Sequence, residues 1–237
     1  LSPGHVLVDY GDIEALKKVM DEDVCAVLLE PVQGEGGVFV PTDEYLKEVR
    51  ALCDKYDALL IFDEVQTGVA RTGKWFAYMH SEVKPDVLTF AKGVGSGFPV
   101  AGFAVPEKHA RVFAPGDHGG TFGGNPLAMA AVYATLTTLK SENMVNKVAE
   151  KGSYFMDQLK KLAAKYPEKV VEVRGKGLLL GMQLTKPGKP VVEHCLANHV
   201  LVNCTANTVI RLAPPLVITK EEIDIVVAAL DKALADF

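Results

Sequence analysis

Residues 58–64 read Ala-Leu-Leu-Ile-Phe-Asp-Glu, and residues 87–92 read Val-Leu-Thr-Phe-Ala-Lys. Each is a short, continuous apolar run that ends in a charged residue, which is typical of a strand buried on both faces. A third run, at residues 24–29, ends at Glu30, and a helix capped by Thr42 or Asp43 is predicted to extend to about residue 56. Strand, helix and strand in this order predict an α/β fold with a mostly parallel sheet.

Asp63 and Lys92 end two of these predicted strands. In open α/β sheets ligands bind beyond the carboxyl ends of the strands, so an acid and an amine are expected in one crevice. A partly desolvated lysine has its charged form disfavoured and can then form a Schiff base. Pyridoxal phosphate needs such a lysine, together with a carboxylate on its ring nitrogen. Position alone leaves a structural ion pair at the sheet edge as the alternative.

The predicted elements change character toward the C-terminus. A fourth strand at residues 100–105 precedes an Ala-rich helix from Asn125 to about residue 139 and a second helix from about 142 to 164. Further strands are predicted within 168–184, at 200–202 and at 209–212, before a final helix that Thr219 caps. We therefore predict a major domain over residues 1–140 and a small α+β domain over residues 141–237.

Composition argues against several classes of function. The chain has 237 residues, of which 49% are hydrophobic, so it can bury a sizeable core. With a net charge of −5 and no basic tract, nucleic acid and anionic membranes are poor partners, and no apolar run is long enough to span a bilayer. The cysteines form no C-x-x-C pair and no His lies at zinc-finger spacing, so we predict reduced thiols and no metal site.

A nucleotide-binding alternative has partial support. Residues 68–74, Gly-Val-Ala-Arg-Thr-Gly-Lys, match a phosphate-binding P-loop up to its last position, and the run ending in Asp63 resembles a Walker B strand. However, Trp75 stands where a Ser or Thr should bind Mg²⁺, and the motif follows the acid instead of preceding it. A dinucleotide fingerprint at Gly93 fails as well, because Phe98 occupies the position of the third glycine.

Six segments in series resemble one family. They are Leu-Glu30-Pro-Val-Gln-Gly-Glu35-Gly-Gly, Phe-Asp63-Glu-Val65-Gln66-Thr-Gly-Val-Ala-Arg71-Thr-Gly73, Thr-Phe-Ala-Lys92-Gly, His118-Gly-Gly-Thr121-Phe-Gly-Gly-Asn-Pro126, Arg174-Gly-Lys-Gly-Leu and Ile-Arg211-Leu-Ala-Pro-Pro215. The series resembles the class III aminotransferases, and within them it is most similar to the acetylornithine and ornithine aminotransferases. The resemblance implies the fold-type-I architecture of pyridoxal-phosphate-dependent transferases.

The resemblance also implies the residues that hold pyridoxal 5'-phosphate. Lys92 would bind it covalently and then move the proton during transamination, while Asp63 would bind the pyridine nitrogen. Val65 would pack on the ring, and Gln66 would hydrogen-bond the ring hydroxyl oxygen. Thr121 would reach the cofactor phosphate of the neighbouring subunit in a homodimer.

On the substrate side, the resemblance implies that Arg211 binds a substrate carboxylate bidentately. Glu35 would pair with Arg211 when an ω-amino substrate is bound and release it for glutamate. Glu30 would support the hydrogen-bond network near Gln66. The implied substrates are small amino and oxo acids: N-acetylornithine or a similar ω-amine donates the amino group to 2-oxoglutarate. Ornithine, succinylornithine and γ-aminobutyrate aminotransferases remain alternatives.

The resemblance covers the C-terminal portion of such an enzyme and implies a cytoplasmic location, or the mitochondrial matrix in a eukaryote. The family's Gly-rich phosphate loop, its ring-stacking aromatic residue and its arginine for the α-carboxylate are not found in this sequence. We therefore expect the chain alone not to be a competent transaminase. A catalytically silent folding or dimerisation module is the alternative reading of the isolated chain.

Overall fold

The computed structural model describes residues 3–237, which form two units. The first unit contains the described residues up to Pro31, together with Pro41–Gln66 and Ala77–Thr137. The second unit contains Val32–Val40, Thr67–Phe76 and Thr138–Phe237. Two short segments that follow strands of the first unit thus belong to the second. The assignment of residues 1–140 and 141–237 to a major and a small domain stays a prediction.

A four-stranded sheet forms the centre of the first unit, in the order β1 (Ala26–Leu29), β2 (Leu59–Asp63), β3 (Val87–Phe90) and β4 (Gly102–Ala104). The first three strands are parallel, and β4 runs antiparallel to β3. Leu29 is in register with Phe62, and Asp63 with Thr89, so the three parallel strands end at one edge. The predicted mostly parallel sheet is confirmed, with β4 making it mixed.

The helices of this unit are α1 (Ile13–Val19), α2 (Asp43–Lys55), α3 (Tyr78–Ser81) and the beginning of α4 (Pro126–Ser141). Of the two predicted caps, Thr42 is the one that caps α2, because its hydroxyl accepts a hydrogen bond from the amide three residues later at 3.1 Å. Val49 and Cys53 of α2 pack in one core with Leu60 and Phe62 of β2, and all four are fully buried. The apolar residues of α2 lie at helical spacing, so they form one face of the helix, and this face covers the sheet.

A buried carboxylate, that of Asp86, lies just before β3 and near the start of β2. It accepts hydrogen bonds from the Leu60 amide at 3.0 Å, from Arg50 at 2.6 Å and from Lys108 at 2.8 Å. Burial alone would raise the pKa of Asp86, but these donors outweigh burial and hold the pKa well below its usual range. Asp86 therefore stays ionised and ties α2 to the sheet at the edge opposite Asp63.

The second unit is built on an antiparallel sheet, in the order β5 (Val170–Lys176), β6 (Leu179–Leu184), β8 (Val209–Leu212) and β7 (Asn203–Thr205). Its helices are α5 (Met144–Lys165), α6 (Lys189–Ala197) and α7 (Lys220–Asp236). Thr219 begins α7 with a reciprocal capping box to Glu222, as the sequence predicted for the final helix. The small α+β character of this part of the chain agrees with the expectation from its sequence.

Two predictions for this region differ from the structure. The strand expected at residues 200–202 is wrong, since the strand lies at Asn203–Thr205 and Val200 instead follows α6 as a buried residue. Helix α6 was not predicted at all. The Val200 amide donates to the Cys195 carbonyl at 2.9 Å, so this apolar residue closes the end of a helix. A short apolar run does not distinguish a strand from a buried helix terminus.

Candidate active site

Three residues with polar side chains follow the parallel strands at the edge where those strands end. Glu30 comes directly after β1, Asp63 is the last residue of β2, and Lys92 lies two residues beyond the end of β3. The register places Leu29 opposite Phe62 and Asp63 opposite Thr89, so the three strand ends are level. The carboxyl edge of a parallel sheet is where ligands bind in α/β folds. The structure thus brings the predicted acid and amine to neighbouring strand ends.

The carboxylate of Asp63 is held in place by the turn that follows it. Its Oδ1 accepts a hydrogen bond from the Val65 amide at 2.9 Å, and the side chain is half-buried. The next residue, Glu64, donates its amide to the Thr89 carbonyl at 3.0 Å, which extends the pairing of β2 with β3. Val65 and Gln66 follow and are also half-buried. Asp63 therefore presents a carboxylate that one backbone amide holds in place.

Glu64 is a residue of this edge that the sequence argument did not assign. It is 1% exposed, and its carboxylate accepts hydrogen bonds from the amides of Ala77 at 2.7 Å and Tyr78 at 2.8 Å. These bonds join the end of β2 to the start of α3, across the segment Thr67–Phe76 that leaves the first unit. Its position as a charged residue directly after an apolar strand could have indicated a role for Glu64. The amides that it bonds, however, could not be predicted from the spacing of residues in the sequence.

Lys92 turns the chain sharply at the end of β3. It is the first residue of a 3₁₀ turn, Lys92–Gly95, and has φ of 45°, which lies in the left-handed region. For a residue other than glycine such a conformation costs on the order of 1 kcal/mol, so the surrounding turn must impose it. The side chain is exposed among the described residues, so they do not supply the desolvation that the sequence argument invoked.

Glu30 and Tyr10 are linked at the end of β1. The Tyr10 hydroxyl donates to the Glu30 carbonyl at 2.7 Å. Burial, reinforced by Tyr45 and by the nearby Glu30 carboxylate, raises the pKa of the Tyr10 phenol above its ordinary value. Tyr10 therefore remains a neutral donor and fixes the backbone at Glu30.

Thr121 lies elsewhere, in an exposed segment before α4, and no described hydrogen bond joins it to the strand ends.

Glu35 and Arg211 form an ion pair within the second unit. The Glu35 Oε1 and Arg211 Nη1 atoms are 2.5 Å apart, and the side chains are 69% and 14% exposed, respectively. Arg211 lies on β8, in register with Asn203 of β7, whose amide oxygen, in the orientation that satisfies both amide atoms, accepts from Arg211 Nη2 at 2.9 Å. The pair therefore combines an arginine that its strand holds in place with a carboxylate that is largely exposed.

The P-loop alternative is not supported by the structure. Residues 67–76 form turns and bends, and the helix that follows, α3, has only 4 residues. Arg71, in the middle of the motif, donates to the carbonyls of Leu178 at 3.0 Å and Pro214 at 2.6 Å. Burial lowers the pKa of Arg71 to about 10. This segment is therefore a structural loop held by a half-buried arginine.

Other kinds of site find no support in the part of the chain that the structure describes. No group of three or more His, Cys, Asp or Glu side chains among residues 3–237 is arranged to hold a metal ion. Within the same residues, no helix has the length and apolar character needed to cross a bilayer.

An acid and an amine at the carboxyl edge of a parallel sheet are the groups that a pyridoxal-phosphate transferase places around its cofactor. Residues 8–234 match the family model described as aminotransferase class-III. The chain belongs to the class-III aminotransferases.

Curated relatives are similar over nearly the whole chain. An acetylornithine aminotransferase of Methanocaldococcus jannaschii is 45% identical over 236 residues, which cover 100% of this chain and 59% of the relative. An ornithine aminotransferase of Oceanobacillus iheyensis is 45% identical over 235 residues, covering 99% of this chain and 58% of the relative. The chain therefore spans somewhat more than half the length of the curated relatives it matches.

The solved structure of an acetylornithine aminotransferase from Elizabethkingia anophelis has a TM-score of 0.90 and 37% identity, covering 100% of this chain and 64% of the other. The predicted fold-type-I architecture is thereby confirmed. Enzymes of this family depend on pyridoxal 5'-phosphate, so the predicted cofactor is confirmed as well. The residues present fit that cofactor, because Asp63 offers a backbone-held carboxylate and Lys92 an exposed amine beyond the adjacent strand.

Proposed function

We propose that this protein transfers an amino group from N-acetylornithine, or a similar ω-amine, to 2-oxoglutarate. The observation that carries the proposal is the Glu35–Arg211 ion pair, in which a strand-held arginine is neutralised by an exposed carboxylate. An enzyme that binds a dicarboxylate and an ω-amine one after the other needs an arginine whose charge is available to the first and masked from the second. A carboxylate that can move supplies that change of charge.

The residues at the strand ends would hold the cofactor. Asp63 would bind the pyridine nitrogen and keep it protonated, Val65 would pack on the ring, and Gln66 would hydrogen-bond the ring oxygen, with Glu30 supporting that network. When bound, pyridoxal phosphate supplies a ring that accepts electrons from the carbon bearing the amine. Lys92 would anchor the cofactor through Nζ.

Lys92 would also carry the proton of the reaction. The carbon of the donor that bears the amine gives up a proton. The Lys92 Nζ atom, released when the donor amine takes its place, would receive this proton as general base and return it to the carbon on the other side of the amine nitrogen. The position of Lys92, three residues after the register partner of Asp63 on β3, supports this role. The exposed side chain has the freedom to move between the two atoms.

On the substrate side, Arg211 would bind a carboxylate of glutamate or 2-oxoglutarate through its planar guanidinium group. Glu35 would then swing away. With the ω-amine donor, Glu35 would remain on Arg211, so that the cationic substrate meets no uncompensated positive charge. The 69% exposure of the Glu35 side chain supports this movement.

Ornithine is the second candidate donor. Relatives named ornithine aminotransferase have 43–45% identity to this chain, close to the 44–48% of those named acetylornithine aminotransferase. The two donors differ in whether the α-amine is acetylated, which removes one positive charge. We further propose a homodimer, in which Thr121 serves the cofactor phosphate of the neighbouring subunit, and a cytoplasmic location, or the mitochondrial matrix in a eukaryote.

The test is turnover by the complete protein with saturating cofactor. N-acetylornithine and ornithine are compared as donors to 2-oxoglutarate, and release of glutamate is measured. We expect the higher kcat/KM with N-acetylornithine and loss of turnover with both donors in Lys92→Ala. The exposed Lys74→Ala serves as the matched control and should leave both rates unchanged. A higher kcat/KM for ornithine would replace the proposed donor, and turnover of neither would refute the proposed reaction.

A further inference from the structure

The loop that carries Glu35 is fastened to the second unit at several points. We define the switch loop as residues 34–38, which lie between β1 and α2 and include Glu35. Within it, the Val38 amide donates to the Gly34 carbonyl at 3.4 Å, and beside it Gln33 donates its amide to the Phe39 carbonyl at 2.9 Å. The loop is therefore a closed turn with its own hydrogen bonds. What fixes it to the sheet is a separate set of contacts.

Thr205 of β7 provides the first contact. Its hydroxyl donates a hydrogen bond to the backbone carbonyl of Glu35, and the residue is 7% exposed. The two residues are 170 positions apart in the chain, so the bond exists only in the folded unit. It holds the backbone of the residue whose side chain contacts Arg211, and it does not involve that side chain.

Arg174 of β5 provides the second contact. Its Nε and Nη2 atoms both donate to the Gly37 carbonyl, at 3.0 and 2.7 Å. The guanidinium group also lies over the Phe39 ring, 4.1 Å from its centroid. Gly37 itself has φ of 118°, a conformation open to glycine, and an added Cβ would lie 3.1 Å from the Phe39 ring. The arginine thus clamps the loop two residues beyond Glu35.

Val38 provides the third contact and stores strain. It has φ of 55°, in the left-handed region, which a β-branched residue adopts only when its surroundings impose it. It is fully buried and packs with Val32 and Leu179. A backbone held in such a conformation has little freedom to move. The Glu35 side chain, by contrast, is 69% exposed.

We propose that Thr205 and Arg174 are positioning residues that fix the switch-loop backbone, so that the Glu35–Arg211 pair opens and closes by rotation of the Glu35 side chain alone. This inference rests on the proposed role of the pair in substrate selection. It assigns specificity to two residues outside that pair: a loosened loop would let Glu35 drift from Arg211, and the uncovered arginine would then favour dicarboxylate substrates over the ω-amine.

Thr205→Val tests the inference with a side chain of nearly the same shape that lacks the hydroxyl, and Thr205→Ser is the matched control that keeps it. The readout is the ratio of kcat/KM for glutamate to that for N-acetylornithine, measured on the complete protein with pyridoxal phosphate bound. Thr205→Val should raise the ratio about fivefold, the equivalent of one neutral hydrogen bond, chiefly through the KM of the amine. Thr205→Ser should restore the wild-type ratio.

A second readout is independent of catalysis. Hydrogen exchange of the amides in residues 33–38 should be about fivefold faster in Thr205→Val and unchanged in Thr205→Ser. Arg174→Lys retains the charge but cannot donate two parallel bonds to the Gly37 carbonyl or stack in the same way. It should therefore speed exchange in the same peptide and raise the substrate ratio in the same direction.

Glu35→Ala separates the inference from the proposed function on which it rests. If Glu35→Ala shifts the substrate ratio and Thr205→Val does not, the positioning role is wrong while the switch stands. An equal loss of kcat/KM for both substrates in Thr205→Val would mean that Thr205 is merely structural, and it would also overturn the inference. If Glu35→Ala leaves the ratio unchanged, the switch itself fails and the inference fails with it.

Discussion

The carboxyl edge of the first sheet and the switch loop of the second unit hold functional side chains in different ways. At the sheet edge, Glu30, Asp63 and Lys92 take their places from strand register, and the Asp63 carboxylate is further held by a backbone amide. In the switch loop, side chains hold the backbone and leave Glu35 exposed. The difference matches the proposed tasks, since cofactor chemistry needs fixed groups whereas alternating substrates need a charge that moves.

The largest effect is expected where a fixed group is removed. Asp63→Asn retains the shape of the side chain but cannot keep the pyridine nitrogen protonated. We expect the half-reaction with the amino donor to slow by on the order of 100- to 1000-fold, since one preorganised electrostatic contact is worth roughly 3–4 kcal/mol in other enzymes. The measurement is the single-turnover rate in the complete protein.

Covalent binding of the cofactor serves as the control for Asp63→Asn. The variant should still bind pyridoxal phosphate covalently, as judged by absorbance, because Lys92 is unchanged. A half-reaction within tenfold of the wild-type rate would show that strand register places Asp63 at this edge without a role in the chemistry.

At the opposite end of the same sheet, Asp86 should contribute to the free energy of unfolding and not to the reaction. Asp86→Asn leaves Arg50 and Lys108 without their buried counterion and should lower the free energy of unfolding by about 3 kcal/mol. Urea unfolding at neutral pH measures this loss. Asp54→Asn is the matched control, because Asp54 pairs with the same Arg50 but is 66% exposed, and it should change the value by less than about 0.5 kcal/mol.

The pH dependence of the Asp86 contribution follows from the direction of its pKa shift. Because the pKa is lower in the folded than in the unfolded protein, the stabilisation is fully present above the unfolded value of about 3.9 and is lost as the pH falls toward the folded value. The difference in unfolding free energy between wild type and Asp86→Asn should therefore shrink in acid. A constant difference from about pH 6 to pH 3 would contradict the assignment.

The smallest effect is expected in the switch loop. Glu35→Ala leaves Arg211 without its carboxylate, so the enzyme should favour glutamate over the ω-amine donor by about tenfold in relative kcat/KM. Glu35→Gln keeps the size of the side chain and removes its charge, and it should shift the ratio in the same direction. Equal losses for both substrates in the two variants would leave Glu35 as a structural acid and remove the contrast with the sheet edge.

The sheet edge was predictable from the sequence alone, because three apolar runs each end in a charged residue and parallel strands end together. The same reasoning could not assign a role to Glu64. Its carboxylate bonds the amides of Ala77 and Tyr78, and these come close only because of the path that the segment between them and Glu64 takes. It also missed α6 and misplaced one strand by a few residues, since an apolar run at residues 200–202 fits either structure.

The contacts of the switch loop were harder to predict from the sequence. Glu35 and Arg211 were named only through the resemblance to a family, since they lie 176 residues apart and neither ends a predicted strand. Thr205 and Arg174 gave no sequence signal for their contacts, because a hydroxyl or guanidinium group that bonds a distant backbone carbonyl leaves no spacing pattern. Side-chain contacts to a loop depend on the assembled sheet, whereas strand ends depend on local pattern.

The central claim is that Lys92 holds the cofactor at the edge where Asp63 ends the neighbouring strand. Borohydride reduction of the complete protein with pyridoxal phosphate bound, followed by proteolysis and mass mapping, tests it directly. We predict one labelled peptide, modified at Lys92 Nζ, and no label in Lys92→Ala. A label on Lys74 or Lys176, or a Lys92→Ala protein that is still labelled, would contradict the account.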